Sequence, residues 1–339
     1  MNKKRIKCWW MKTFNTFCVA AIIVIGISSS AAANEKWRGY TYHPTTDVPE
    51  YLFLERIADQ VKKDTNGYLS IKVSPAGSLP IKGNDVAQAV SDGIIPFAAA
   101  TSGTVGMIPI YGLSRLPMLF NTDEDIVAGN DAILKKAIAQ AMDKKNLKLL
   151  AIWWYPAHSI WTKDKISKLS DINGMKLRVT TPPQAKLIEQ YGAIPVQIAT
   201  AEVAPALQQG IVDGALTSVS GARLWIDNFK TNFLLPLNYG TSLVIANKQS
   251  FESLPKDVQD KLVKAAEDGA RWVTTTLGAT DTSLRQKFVD EKGLTVVLPT
   301  SNEVSDALGK SQQIWVEIAR SVGPEGVEAL AILKETLGK

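Results

Sequence analysis

Residues that carry catalytic chemistry are scarce in this sequence. Among 339 residues there are two cysteines, Cys8 and Cys18, and two histidines, His43 and His158. Both cysteines precede residue 34, in a stretch read below as a leader. The chain left after its removal has no thiol for nucleophilic attack, a disulfide or a soft metal. No G-x-S-x-G elbow, H-E-x-x-H helix, histidine cluster or glycine-rich phosphate loop occurs. These absences argue against metallohydrolases, cysteine enzymes and nucleotide enzymes. A Ser-His-Asp hydrolase stays open only as a minor alternative, without the strand-turn-helix context its serine needs. After residue 33 no apolar run reaches membrane-spanning length.

What is present begins with the N-terminus. Lys3, Lys4, Arg5, Lys7 and Lys12 give a basic start, residues 14–27 are almost wholly apolar, and residues 28–33 are all serine or alanine. That order defines a cleavable secretory signal peptide over residues 1–33, with Ala31 and Ala33 as an A-x-A site and Asn34 as the expected mature N-terminus. Its apolar run of roughly 14 residues is shorter than the ~20 of a membrane anchor. Cys18 follows Asn15, Thr16 and Phe17, not the small residue expected before a lipidated cysteine.

The leader holds five of the 38 basic side chains and none of the 33 acidic ones, so the mature chain carries no net charge. The formal +5 of the whole sequence therefore gives no support to a nucleic-acid or anionic-membrane partner.

The remaining roughly 300 residues suggest two domains. Strand patterns at 37–43, 69–73 and 94–100 alternate with helical spacing at 50–63 and 85–91, the latter capped by Asn84. A long helix over 123–145 and a strand over 148–154 follow. After the polar stretch 162–173 the alternation restarts: strand 175–180, helix 182–191, strand 193–197, helix 201–209, then strands 211–218 and 243–246. From Pro255 the spacing of Val258, Leu262, Ala266, Trp272, Leu284 and Phe288 predicts a very long helix or helix pair. A strand over 294–298 and a helix over 302–320 complete the pattern. Two βα halves imply two α/β domains, with ligand in a cleft beyond the carboxyl ends of the strands.

Three segments in order carry a resemblance: Gly174-Met175-Lys176-Leu177-Arg178-Val179, Gly192-Ala193-Ile194-Pro195-Val196, and Glu202 through Gly214 with its Leu207-Gln208-Gln209-Gly210-Ile211-Val212-Asp213-Gly214 run. With Pro75-Ala76-Gly77-Ser78-Leu79, Asp92-Gly93 and the stretch from Asn247 to Leu254-Pro255, they resemble the TRAP dicarboxylate-type solute-binding protein family over nearly the whole mature chain. The resemblance implies a two-domain periplasmic-binding-protein-like α/β fold, each domain a mostly parallel sheet flanked by helices, with a long helix shared between them. Domain I would comprise 34–157 plus 244–285, and domain II 158–243 plus 286–339. It also implies a periplasmic, non-enzymatic monomer without a cofactor. That monomer would close by hinge bending on a small organic acid and deliver it to a small and a large membrane subunit driven by an ion gradient. The binding protein of an ATP-driven importer is the alternative.

The resemblance makes Arg178, the arginine of G-x-K-x-R, the residue that pairs with the ligand carboxylate. A guanidinium suits that role because its planar fork matches two carboxylate oxygens and stays charged. His158 stands where many relatives carry a second arginine, which weakens the expectation of a second carboxylate on the ligand. Thr217 and Ser218 stand where relatives often place an amide or acid. Phe97, Thr101 and Ser102 match a segment that ends at the cleft, and His43 and Tyr239 are further candidates. Of the aromatic group Trp153, Trp154, Tyr155 and Trp161, one tryptophan, Trp154, is expected in the cleft, while Trp225 is expected to pack on a helix. The Leu207–Gly214 run reads as structural, with Gly210 ending a helix. These features together favour a monocarboxylate with an apolar or aromatic portion.

Overall fold

The computed structural model describes residues 34–339 apart from Ser102 and the side chains of Asp131 and Ala132, so the leader and the candidate Ser102 lie outside the described residues. The strands are β1 (Glu35–Thr41), β2 (Leu69–Ser74), β3 (Phe97–Ala100), β4 (Leu147–Thr162), β5 (Lys176–Val179), β6 (Ile194–Gln197), β7 (Gly214–Thr217), β8 (Thr231–Asn247) and β9 (Thr295–Val297). They form one sheet in the order β2-β1-β3-β8-β4-β7-β5-β6, with β9 paired to β8. β1 runs parallel to β2 and β3, and β5 runs parallel to β6 and β7. The two parallel sets are joined through β8 and β4, which pair antiparallel from Leu147↔Asn247 to Thr162↔Thr231.

Those two connecting strands are far longer than the sequence pattern predicts. β4 continues past Trp154 to Thr162, and β8 begins at Thr231 rather than Leu243. Pro156 falls in a register shift between Trp154 and Ala157. A bulge is one of the few places in a sheet where a residue without an N–H is tolerated. The bulge falls just where the sequence pattern ends its strand over 148–154.

The helices are α1 (Pro49–Asp64), α2 (Val86–Ser91), α3 (Thr104–Met107), α4 (Asp123–Asp125), α5 (Lys135–Asp143), α6 (Pro182–Glu189), α7 (Val203–Gln208), α8 (Val219–Ala222), α9 (Lys248–Glu252), α10 (Lys256–Lys292), α11 (Ser301–Val322) and α12 (Pro324–Leu337). A π-helical stretch, Ile126–Leu134, links α4 to α5. Asn84 does not cap α2; it lies inside a 3-10 turn, Gly83–Asp85, that precedes the helix. The long pattern after Pro255 is one helix, α10. Val258, Leu262, Ala266, Ala270, Val273 and Leu277 recur on its buried face at helical spacing. α11 starts at a capping box in which Thr300 and Glu303 satisfy each other's backbone N–H.

Both faces of the sheet are covered. On β8, Ile245 packs into a core with Leu177, Ile188 and Trp315, while its neighbours Val244 and Ala246 point into another with Phe53, Ile57, Trp153 and Leu262. Alternate residues of a strand face opposite sides, so α10 and α1 cover one face and α6 and α11 the other. Each such large side chain withdrawn from water contributes about 1.5–3 kcal/mol before entropy is counted. The Leu207–Gly214 run is structural here. Gly210 adopts a left-handed φ of +70° after α7, and Asp213 holds the start of β7 to β5 through its carboxylate, which accepts from the Lys176 N–H at 2.9 Å.

Candidate functional site

The carboxyl ends of β1, β3, β5 and β7 converge on one cavity of about 50 Å³. Tyr42 and His43 reach it from the end of β1, Thr101 from β3, Arg178 and Thr180 from β5, and Thr217 and Ser218 from β7. Tyr155 and His158 enter from the bulged middle of β4. Arg115, in the 3-10 segment Pro109–Arg115, completes it together with Trp225.

Arg178 is 5 % exposed. Its Nε donates to the Ile198 carbonyl at 3.2 Å and its Nη2 to Thr200 Oγ1 at 3.4 Å. The guanidinium carbon lies 5.5 Å from the centre of the Trp225 ring, within cation–π range. Trp225 therefore does more than pack on a helix. Burial, reinforced by the charge of Arg115, pushes the Arg178 guanidinium down to about 10, so it remains charged at neutral pH.

His158 is buried, and its Nδ1 lies 3.0 Å from Gln184 Nε2. Desolvation first, and then the charges of Arg115 and Arg178, hold its pKa well below that of a free imidazole. His43 is also lowered, chiefly by burial; its Nδ1 lies 3.3 Å from Thr45 Oγ1. Ser218 is largely committed to capping α8, accepting from the Gly221 N–H at 3.2 Å. Tyr42 ties β1 to the two long strands through 2.7 Å hydrogen bonds to Tyr155 Oη and Ser242 Oγ.

Three candidates fall elsewhere. Phe97 is fully buried in the core with Trp153 and Leu150 and does not reach the cavity. Trp154 packs near Phe120, ring centres 6.1 Å apart, and borders a separate outer groove of about 840 Å³. Tyr239 borders the same groove and donates to the Asn121 carbonyl at 3.1 Å. Strand alternation explains the tryptophan error, since Trp153 and Tyr155 share one side of β4 and Trp154 faces the other. The aromatic that enters the cavity from this strand is Tyr155.

Size does not choose between these two concavities; charge does. In the outer groove Lys135 pairs with Glu267 at 3.2 Å and Asp281 with Arg285 at 2.7 Å. In the smaller cavity the two guanidiniums have no carboxylate among the lining residues. An anion would neutralise them. Among the described residues neither histidine is hydrogen-bonded to a serine hydroxyl, and no group of three or more His, Cys, Asp or Glu gathers to hold a metal. A nucleophile needs a base within hydrogen-bond reach, and neither imidazole is placed so against a serine here.

A cationic cavity at the strand ends of a two-part α/β sheet belongs to the class of solute receptors rather than enzymes. Residues 41–321 match the bacterial extracellular solute-binding proteins, family 7, and the chain belongs to that family. This is the family that the Arg178 and Leu207–Gly214 motifs resemble. A solute-binding protein of Chromohalobacter salexigens is 27% identical over 272 residues, covering 75% of this chain and 78% of that one. The 2,3-diketo-L-gulonate-binding periplasmic protein YiaO of Escherichia coli is 25% identical over 333 residues, 93% of this chain and 97% of its own. In three dimensions the chain is similar to DctP7 of Bordetella pertussis, an extracytoplasmic solute receptor binding pyroglutamic acid. The TM-score is 0.82 at 22% identity, covering 90% of this chain and 99% of the other. No helix among the described residues is long and apolar enough to cross a membrane.

Proposed function

We propose that this protein is the periplasmic receptor of a TRAP transporter and that it captures a small organic acid by pairing the acid's carboxylate with Arg178. The observation that carries this reading is a buried guanidinium at the end of β5, held only by neutral acceptors, in a cavity lined by no acidic residue. A buried cation left without a counter-ion is costly by several kcal/mol, and a bound carboxylate removes that cost through paired hydrogen bonds. YiaO and DctP7 are named for binding organic acids, which supports the same ligand class here. His158, Thr217 and Thr101 supply the neutral polar wall. His43 and Ser218, which line the cavity, stay in the proposal, and Ser102, outside the described residues, stays on the sequence resemblance alone, while Phe97, Trp154 and Tyr239 leave it.

The β1–β3 set and the β5–β7 set form two lobes, and the bulged β4–β8 pair between them is the hinge. Ligand that contacts both lobes favours the closed arrangement, because only differential binding shifts such an equilibrium. The closed receptor then delivers its acid to the small and large membrane subunits. The test is calorimetric titration and thermal shift of the mature protein against a panel of organic acids, together with Arg178→Ala. Wild-type protein should gain stability with at least one acid, and the variant should lose that response while keeping a cooperative unfolding transition. An unchanged affinity in the variant would overturn the assignment.

A further inference from the structure

The outer groove of about 840 Å³ has no part in the function proposed above. Its floor is the bulged stretch of β4, one wall is α10, and the other is the π-helical stretch with the turn of α4 before it. We infer that this groove is a second binding site and that it takes a small organic cation, an ammonium group on an apolar or aromatic body. The inference stands apart from the Arg178 reading and survives its failure.

Shape supports a site. The volume lies within the range of about 300–1,000 Å³ typical of small-molecule pockets. Gly278, in the interior of α10, lines the groove, and a Cβ built on it would meet no atom within 4 Å. A glycine inside a helix costs roughly 1 kcal/mol relative to alanine, and no neighbouring atom requires that cost here. It leaves the groove wider at this point. The opposite wall holds nine π-helical residues, Ile126–Leu134, a rare geometry frequent at functional sites. Of these, Val127 is 61% exposed although it is apolar, and it lines the groove with Ile126.

Charge selects the occupant. Fourteen residues of α10, roughly 21 Å of helix, separate Glu267 from Asp281. At the first of these positions Lys135 closes an ion pair. Around the second the balance is negative. Burial, and after it the charges of Asp123, Asp125, Asp281 and Glu124, raise the pKa of the Tyr239 hydroxyl, so all four carboxylates surround one end of the groove. Asp281 pairs with Arg285 at 2.7 Å and Asp125 with Lys339 at 3.5 Å, while Asp123 and Glu124 have no ion-pair partner among the described residues. Arg285 engages only Oδ2 of Asp281, and Oδ1 is buried with no hydrogen-bond partner among the described residues. An ammonium brings three donors and the missing positive charge. The Tyr239 ring beside it adds a cation–π contact, and Val127, Trp154 and Pro156 offer apolar surface to the body of the molecule. Among the described residues no three His, Cys, Asp or Glu gather to hold a metal, which favours an organic cation over a metal ion. The preference is opposite in sign to that of the strand-end cavity, where two guanidiniums meet no acid.

Isothermal titration and thermal shift of the mature protein with benzylammonium and phenethylammonium, each against the corresponding neutral alcohol, test the inference. At least one amine should bind saturably at one site and raise the unfolding temperature. It should bind roughly tenfold or more tightly than its alcohol, the factor that about 1.4 kcal/mol of charge pairing gives. Asp281→Asn, which removes the charge, and Gly278→Leu, which fills the groove, should each weaken the amine by at least that factor. No detectable amine binding, an amine that binds no better than its alcohol, or binding that persists in G278L would overturn the assignment. Should D281N fail to fold because Arg285 loses its partner, G278L decides, since it touches no ion pair and adds a better helix former to an exposed position of α10.

Discussion

Gln184 holds His158 as a hydrogen-bond acceptor. The Gln184 Oε1 accepts from both the N–H and the hydroxyl of Thr180 at 2.8 Å, so its amide nitrogen faces Asn238 Oδ1 at 2.7 Å and His158 Nδ1 at 3.0 Å. An amide nitrogen only donates, which assigns the imidazole proton to Nε2 in the neutral ring. That Nε2 lies against Gly240, where an added Cβ would approach it to 2.4 Å. Glycine at this position leaves room for the ring.

Replacing Gln184 with leucine should therefore destabilise the protein by more than a surface change does. The substitution orphans a buried backbone N–H and leaves Thr180, Asn238 and His158 to find other partners. Each orphaned group costs about 1–3 kcal/mol, so urea unfolding should show a loss of roughly 2–4 kcal/mol. A loss under about 1 kcal/mol would mean that the network does not matter to stability.

Acidification should weaken the fold through the two histidines. Burial lowers the pKa of both His43 and His158 in the folded state, whereas in the unfolded chain each titrates near 6.5. Below that pH the unfolded state binds protons that the native state refuses, so stability falls as pH falls and is pH-independent from this source above it. The slope should approach roughly 1.4 kcal/mol per pH unit for each imidazole. Urea midpoints measured from pH 7.5 to 5 in wild type and His158→Gln isolate one ring, because carboxylate titrations cancel in the difference. Parallel curves for the two proteins would contradict the lowered pKa of His158.

Arg178 was legible in the sequence because its neighbours form a motif and because a strand end in an α/β protein is where ligands bind. His43, Thr101 and Thr217 were legible for the same reason, as residues at or near strand ends, and His158 through the position where relatives carry a second arginine. What the sequence hid was produced by irregular backbone. Arg115 sits in a 3-10 segment whose apolar residues follow neither a period of two nor one of 3.6. Tyr155 and Pro156 fall just past the strand read over 148–154, yet both lie within β4 at a bulge. Phe97 was misplaced because both β3 faces are covered, and a strand buried on both sides gives no alternation from which to read direction. The second charge of the cavity thus came from the part of the chain with the weakest pattern.

An ion pair also joins the two sets of parallel strands. Glu50, in the first turn of α1, has a side chain with no solvent exposure, and its Oε2 lies 3.5 Å from Nη2 of Arg223, which follows α8. Neither carboxylate oxygen has a hydrogen-bond partner among the described residues, so the carboxylate depends on this contact and on the positive end of the α1 dipole. Arg223→Met should strand a buried anion, an effect worth about 3–5 kcal/mol when both partners are fully enclosed. The Arg223 side chain is 32% exposed, and water reaching it should bring the loss to the lower end of that range. Adding Glu50→Gln to Arg223→Met should recover most of the loss, since the double variant leaves no charge behind, and the coupling read from the four proteins should be well above the ~0.5 kcal/mol of independent sites. Additive losses would show that the two side chains act separately and that the ion pair adds nothing to the link between α1 and the segment after α8.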